Sequence, residues 1–374
     1  MKILLVGNLA EDAQESMIRF TALLLDGLRA RGHQVELLAP TLRLARLAQP
    51  YRYRGVPKYL GYFDKFVLFP RRLRRHIIAT RPDVVHLIDQ AGAVFAPAAG
   101  KTPVLGTCHD LLQVRAALGE FERQSVGWLG RRYQAWILAS LGQLPRIACI
   151  STKTRADVLR LTGLQSQRVS VVPIALSYPY RPVDPATARQ RLAGSAALQG
   201  AFLLHVGGSQ WYKNRPGVLA IYAALHRHMA HAPALILVGR PFSPEEVGLL
   251  TAQKLHGHVL RLTGVSNAEL EALYSLADGL LFPSWEEGFG WPIAEAQACG
   301  CPVFTSNRAP MTEVGGDAAV YFDPSDPAAA AQIIAASWAD RPARRARGLE
   351  AADRWRAELM FETYEKIYHE LTHP

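Results

Sequence analysis

Apolar runs of three to five residues alternate along the chain with longer stretches whose apolar positions recur at helical spacing, and this order repeats in both halves. In the first half the runs are Lys2–Val6, Val35–Leu38, Val84–Leu87, Val104–Thr107, Ile147–Ile150 and Val169–Val172. In the second they are Phe202–Val206, Leu235–Val238, Val259–Leu262, Gly279–Phe282, Val303–Thr305 and Val320–Phe322. Near-continuous apolar strands separated by amphipathic segments are the pattern of βαβ units, whose parallel sheets are covered on both faces. The expected fold class is α/β, with one doubly wound Rossmann-like sheet in each half.

Between the two sets, Pro173, Pro179, Pro182 and Pro185 forbid a continuing helix or central strand, so this stretch reads as a linker. The chain's 374 residues are about twice a common domain length. The expected division is an N-terminal domain over 1–175, a linker over 176–186 and a C-terminal domain over 187–350. A final helix over 351–374 follows, with Trp355, Leu359, Phe361, Tyr364, Ile367 and Leu371 on its apolar face, crossing back to the first domain. Ligands of doubly wound sheets bind beyond the carboxyl ends of the strands. With two such domains facing each other across a cleft, the chemistry is expected on residues that follow strands.

Two segments carry it. The first, Pro283 to Glu295, reads strand end, glycine-bearing loop and helix, with Pro292 at the helix start and Glu295 in its first turn. Gly288 and Gly290 let the backbone approach a ligand, and the unpaired N–H groups at a helix start suit a diphosphate. Carboxylates do not bind that diphosphate but accept hydrogen bonds from hydroxyls, so Glu295 suits a ribose diol and Glu287 the hydroxyls of a sugar. Taken alone, the two acids fit equally well as a solvated loop residue and a favourable helix-terminal charge.

The second segment, Phe202 to Arg215, is again a strand, the Gly207-Gly208 turn and a helix, with Lys213 placed to reach a phosphate. A nucleotide that loses its sugar leaves a diphosphate with developing negative charge, which a fixed ammonium stabilises more in the transition state than in the ground state. By itself this segment is also an ordinary turn with a surface lysine.

Together they resemble the retaining glycosyltransferases of glycosyltransferase family 4, which have the two-Rossmann-domain GT-B fold. The resemblance rests on the Glu-x7-Glu motif at Glu287 and Glu295, on Val206-Gly207-Gly208 with Lys213-Asn214, and on Leu237-Val238-Gly239. It continues through Ala272 to Asp278, Ala298 to Val303 and Pro310 to Asp317, and so covers most of residues 201–323. The resemblance implies that Glu295 holds the nucleotide ribose and Glu287 the transferred sugar. It implies further that the amides of Phe289, Gly290 and Trp291 meet the sugar and phosphates, that the backbone of Val265 meets the base, and that Gly207, Gly208, Lys213 and Asn214 line the phosphates. His109, after Thr107-Cys108, resembles the family's histidine near the donor sugar and acceptor, whereas His86 reads as structural. One departure stands out: the arginine that many members place beside the phosphate lysine is replaced by Gly208 and Tyr212, which leaves Arg215 or Arg240 to fill the role. The first half matches less well, since the usual Gly-Gly loop after the first strand is absent and Asn8 to Met17 is polar and acidic.

The implied activity is transfer of a hexosyl or deoxyhexosyl unit from a GDP- or UDP-type sugar to a glycan or lipid-linked acceptor, with retention and without a metal or other cofactor. A nucleotide-sugar epimerase of the same fold, or a nucleotide-sugar-binding protein with weak catalysis, are the competing readings. A dinucleotide oxidoreductase is disfavoured because Val6-Gly7-Asn8-Leu9-Ala10 lacks the Gly-x-Gly-x-x-Gly fingerprint.

Composition, 49% apolar and 20% charged, is that of an ordered globular protein. Met1–Val6 is only strand length and soon meets Glu11 and Asp12, so neither a signal peptide nor a spanning helix is expected. Cys108, Cys149, Cys299 and Cys301 lack zinc spacing and read as free thiols of a cytoplasmic protein. Charge alters the picture more. The formal net charge is +10, and Arg43 to Arg75 holds ten Arg or Lys residues and one acid, Asp64. Tyr51, Tyr53, Tyr59, Tyr62, Phe63, Phe66 and Phe69 are interleaved with them. Basic and aromatic residues in one segment suit the inner face of an anionic membrane, giving a peripheral protein, and equally a solvated surface over a few core aromatics. Nucleic acid is not expected, because no helix-turn-helix, zinc or RNA-binding signature accompanies the charge.

Overall fold

The structure is a computed structural model that describes residues 1–9, 11, 15–47, 55–192 and 200–373. Every apolar run named above falls on a strand, with Ile150 and Val172 one residue past the ends of theirs. In the first half these are β1 (Lys2–Val6), β2 (Gln34–Leu38), β3 (Val84–Leu87), β4 (Val104–Cys108), β5 (Arg146–Cys149) and β6 (Val169–Val171). In the second they are β7 (Phe202–Val206), β8 (Ala234–Val238), β9 (Val259–Leu262), β10 (Gly279–Phe282), β11 (Val303–Ser306) and β12 (Val320–Phe322).

The strands form two six-stranded sheets, ordered β2-β1-β3-β4-β5-β6 and β12-β11-β10-β7-β8-β9, with every pairing parallel. Both sheets are doubly wound. β1 leads outward to β2 and the chain returns to β1's other edge with β3; β7 leads to β8 and β9, and the chain returns with β10. The order therefore reverses between β1 and β3 and between β7 and β10, the places where open α/β sheets part at their carboxyl ends to admit a ligand.

The chain divides into two compact units, Met1–Ser177 with Ala357–Pro374, and Tyr178–Arg356. The expected final helix is broken. A helix over Arg341–Ala352 is followed by a 3₁₀ turn over Asp353–Trp355, and Arg356 is extended before the last helix, Ala357–Thr372. The cause is a change of allegiance. Trp355 is buried edge-on against Phe289 at 4.9 Å, and Arg354 Nη2 donates to the carbonyl of Val314 at 3.0 Å, so residues 353–355 are tied to the second unit. The helix that follows is tied to the first. Arg31 meets Glu365 through Nε at 2.9 Å and Nη2 at 2.7 Å, and Tyr368 and Tyr364 close over His86 and Thr107.

Candidate functional site

The site of the second unit is built where β7 and β10 lie side by side. His205 on β7 is fully buried and its Nδ1 donates to the carbonyl of Leu281 on β10 at 2.9 Å. Burial is the main reason its pKa falls to about 4, so the ring is neutral and its other nitrogen faces the Gly207 turn unprotonated. Beyond β7 the chain passes Gly207 and Gly208, makes a 3₁₀ turn over Trp211–Lys213 and turns through Asn214, whose φ of 52° is left-handed, into the helix Arg215–His228. Beyond β10 it runs through residues 283–290 into the helix Trp291–Ala298.

Cross-bonds lock these two loops together. Asn214 Nδ2 donates to the carbonyl of Pro283 at 2.9 Å, and the Trp285 N–H donates to the carbonyl of Tyr212 at 2.7 Å. Lys213 Nζ lies 2.8 and 2.9 Å from the two carboxylate oxygens of Glu287. The loop after β8 closes in as well. A Cβ on Gly239, at φ +154°, would stand 2.2 Å from the Gly207 carbonyl oxygen, so only glycine permits that approach.

Gly290, at φ +100°, is the residue before the helix, which begins at Trp291, one residue earlier than the sequence pattern placed it. Pro292 is consequently the second helical residue and Glu295 lies beyond the first turn. The aspect of Glu295 also differs from a terminal charge: it is buried, 4% exposed, and its Oε2 accepts from the Tyr274 hydroxyl at 2.9 Å. Phe289 is buried, Trp291 half-buried, and Val265 half-buried in the loop after β9. Arg240 is exposed. Arg215 is not a free cation: it is 3% exposed, lies 2.9 Å from Glu246, and donates from Nη1 to the Arg240 carbonyl at 3.0 Å.

The first unit gathers polar groups at its own reversal, between β1 and β3. Asn8 Nδ2 donates to Asp89 at 2.5 Å, and Asp89 also accepts from the Ala91 N–H at 2.8 Å. His109, after β4, is buried and packs edge-on against Phe20 at 4.7 Å. Its Nε2 must donate to the Ile88 carbonyl at 2.9 Å, because a carbonyl only accepts. Burial lowers its pKa, and Asp89 partly offsets this. Asp89 escaped sequence reasoning, being a single acid after a strand with no motif around it. His86 is structural: it is wholly buried, with its pKa pushed to about 3, between Tyr368 and Thr107 at 2.7 Å each.

The basic segment is sorted by the fold, and Tyr51 and Tyr53 lie outside the described residues. Phe69 belongs to the core, and Asp64 is buried as acceptor for the N–H groups of Arg43, Leu44 and Ala45, so neither is a surface group. Tyr59, Tyr62 and Phe63 remain exposed on the helix Gly55–Phe63. Phe66 bridges them to a second element, the helix Trp128–Leu141, with ring centroids 5.9 Å from Tyr62 and 5.3 Å from Trp136. That helix exposes Trp128 (67%), Leu129 and Trp136, with Arg132 over the Trp128 ring at 5.2 Å. Lys58 stands over Tyr62 at 5.6 Å. No described helix is long and apolar enough to cross a membrane.

Two parallel doubly wound units, the second with a paired lysine and glutamate at its strand reversal, define a GT-B glycosyltransferase architecture. Family models for "Glycosyltransferase Family 4" and "Glycosyl transferases group 1" match residues 17–176 and 190–354, and the chain belongs to glycosyltransferase family 4. It is similar to O-antigen chain mannosyltransferase B of Escherichia coli, 32% identical over 218 residues that make up 57% of each protein. It is also similar to the D-inositol 3-phosphate glycosyltransferase of Xylanimonas cellulosilytica, 33% identical over 298 residues, covering 73% of this chain and 68% of that one. The match thus spans little more than half of the first relative's length. Among solved structures, Anabaena HepE in complex with UDP and glucose superposes with a TM-score of 0.71 at 16% identity, over 98% of this chain and 99% of that one.

Proposed function

We propose that the protein is a retaining glycosyltransferase that binds a nucleoside diphosphate sugar at the β7/β10 crevice and passes its hexosyl or deoxyhexosyl unit to a glycan or lipid-linked acceptor. The observation that carries this reading is the Lys213–Glu287 pair and the Asn214–Pro283 bond, which join the loops beyond the carboxyl ends of β7 and β10. In it, Lys213 faces the diphosphate, the amides of Phe289, Gly290 and Trp291 complete the anion site, Glu287 receives the sugar hydroxyls and Glu295 the ribose. Gly207 and Gly208 leave room for the phosphates, Val265 meets the base, and Arg240 is the available exposed guanidinium.

Departure of the diphosphate is assisted by charge and position, and the leaving oxygen takes the acceptor's proton on the face that the sugar leaves. A fixed ammonium and helix-start amides serve the role that a divalent ion serves elsewhere, so the reaction runs without metal. Neutral His109 contributes from the acceptor side as a hydrogen-bonding group. The name of the mannosyltransferase relative favours a mannosyl donor, and the HepE complex keeps UDP-sugars in play. The exposed aromatics and cations of Gly55–Phe63 and Trp128–Leu141 suit an anionic bilayer, where rings sit at the interface and cations meet head groups.

The test is turnover. The protein is incubated with GDP-mannose, UDP-glucose and related donors plus polyprenyl-diphosphate-linked sugars, in EDTA. Released nucleoside diphosphate and a product whose anomeric proton coupling matches the donor's support the reading. Inverted product, or epimerised donor without transfer, contradicts it.

A further inference from the structure

Tyr274 and Glu295 come from different helices, Asn267–Leu276 and Trp291–Ala298, and meet inside the second unit with 2.9 Å between Oη and Oε2. Tyr274 is wholly buried. Burial first, and then the charge of Glu295, hold its pKa well above the ordinary value, so the phenol keeps its proton. An ionised carboxylate only accepts, so the bond runs from phenol to carboxylate.

The donor is itself held. Its ring stands edge-on to Tyr180 at 6.0 Å. Its helix begins with a reciprocal Ser266–Glu269 cap, and Glu271 on that helix binds Arg191 at 2.8 Å and the Arg181 N–H at 3.1 Å. A rigid phenol thus gives a side chain with three rotatable bonds a fixed donor at Oε2. A carboxylate accepts about four hydrogen bonds, and Tyr274 supplies one of them.

We propose that Tyr274 is a positioning residue of the nucleotide site: its hydroxyl holds the Glu295 carboxylate in the one orientation that receives both hydroxyls of a ribose. The inference rests on Glu295 being the ribose acceptor. Tyr274 does not touch the nucleotide. Its contribution is preorganisation, which lowers the ordering cost of binding without adding a contact.

Tyr274→Phe removes one oxygen and keeps the ring that packs on Tyr180. Calorimetry is run on wild type, Tyr274→Phe, Glu295→Ala and the double variant, with GDP, UDP and their 2′,3′-dideoxy forms, and thermal unfolding checks each fold. The expected result for Tyr274→Phe is a loss of about tenfold in affinity for the ribonucleotide and of roughly twofold or less for the dideoxy form. On top of Glu295→Ala the substitution adds little, and in turnover it raises the donor KM while leaving kcat nearly unchanged. An equal loss on both nucleotides assigns the hydroxyl to packing alone and overturns the inference, as does no loss at all. If Glu295→Ala itself fails to distinguish ribose from dideoxyribose, or neither nucleotide binds the wild type, the reading of the site falls and the inference with it.

Discussion

Lys213 and Glu287, 74 residues apart in the chain, meet at 2.8 and 2.9 Å with side-chain exposures of 16% and 8%. The cation expected at the diphosphate and the anion expected at the sugar neutralise one another. A donor that supplies phosphate oxygens to the one and hydroxyls to the other replaces that pair rather than entering an empty charged site.

Breaking a largely buried pair leaves the remaining charge uncompensated, at a cost of roughly 3 kcal/mol, whereas removing both charges costs less than the sum. Lys213→Ala and Glu287→Ala are therefore expected to destabilise the fold individually, and the double variant is expected to recover part of the loss. Urea unfolding of the three variants measures this.

Loss of the ammonium also removes stabilisation of the departing diphosphate. Lys213→Ala is expected to lower kcat by about 10²- to 10³-fold at saturating donor, the scale of deleting one preorganised charge donor. A change confined to KM would assign Lys213 to ground-state binding instead.

Asn214 combines a left-handed backbone with a buried bond to the Pro283 carbonyl. Asn214→Ala loses the bond and strains the turn, an expected cost of about 2 kcal/mol. Asn214→Gly loses the bond but not the conformational ease, so it is expected to be the milder variant in the same unfolding measurement.

The last helix is pinned by Glu365, whose hydrogen bond from Arg31 is the main reason its pKa falls to about 2, with His33 contributing at 2.8 Å. A depressed carboxylate pKa means that the unfolded chain binds the proton more readily. The stability it contributes is present above the ordinary value near 4.5 and is lost as pH falls from there toward 2. Glu365→Gln is expected to lower stability at pH 7 and to flatten the pH dependence over that window.

If the paired aromatic–basic helices meet a bilayer, sedimentation with phosphatidylglycerol vesicles is expected to fall for Trp128→Ala with Leu129→Ala, and to fall at least tenfold for Lys58→Glu with Arg132→Glu. Neutral vesicles are expected to bind neither wild type nor variants strongly. Equal binding of all variants removes this surface from the account.

The twelve strands among the described residues were legible because central parallel strands are apolar on both faces and stand out as unbroken runs. Ends were less so: Trp291 opens its helix because Gly290 supplies the positive φ before it, which no periodicity records. The break at Arg356 was hidden because Trp355 extends the apolar stripe of the last helix while packing on a different unit. Motifs placed Lys213 and Glu287 on strand-following loops and Glu295 on the helix after them, yet neither the Lys213–Glu287 pair nor the Tyr274–Glu295 bond could be read from spacing. Both join elements that only the β7/β10 reversal and its flanking helices bring together. Asp89 likewise became visible only through Asn8 and His109 beside it.

The central claim is a metal-free nucleoside diphosphate sugar site at the β7/β10 crevice. Calorimetric titration with GDP-, UDP-, dTDP- and ADP-sugars, in EDTA and then in magnesium, against wild type, Lys213→Ala and Glu295→Ala, tests it most directly. One nucleotide class is expected to bind equally well in EDTA and magnesium, and much more weakly to both variants. Binding that requires magnesium, or that survives both substitutions undiminished, would contradict it.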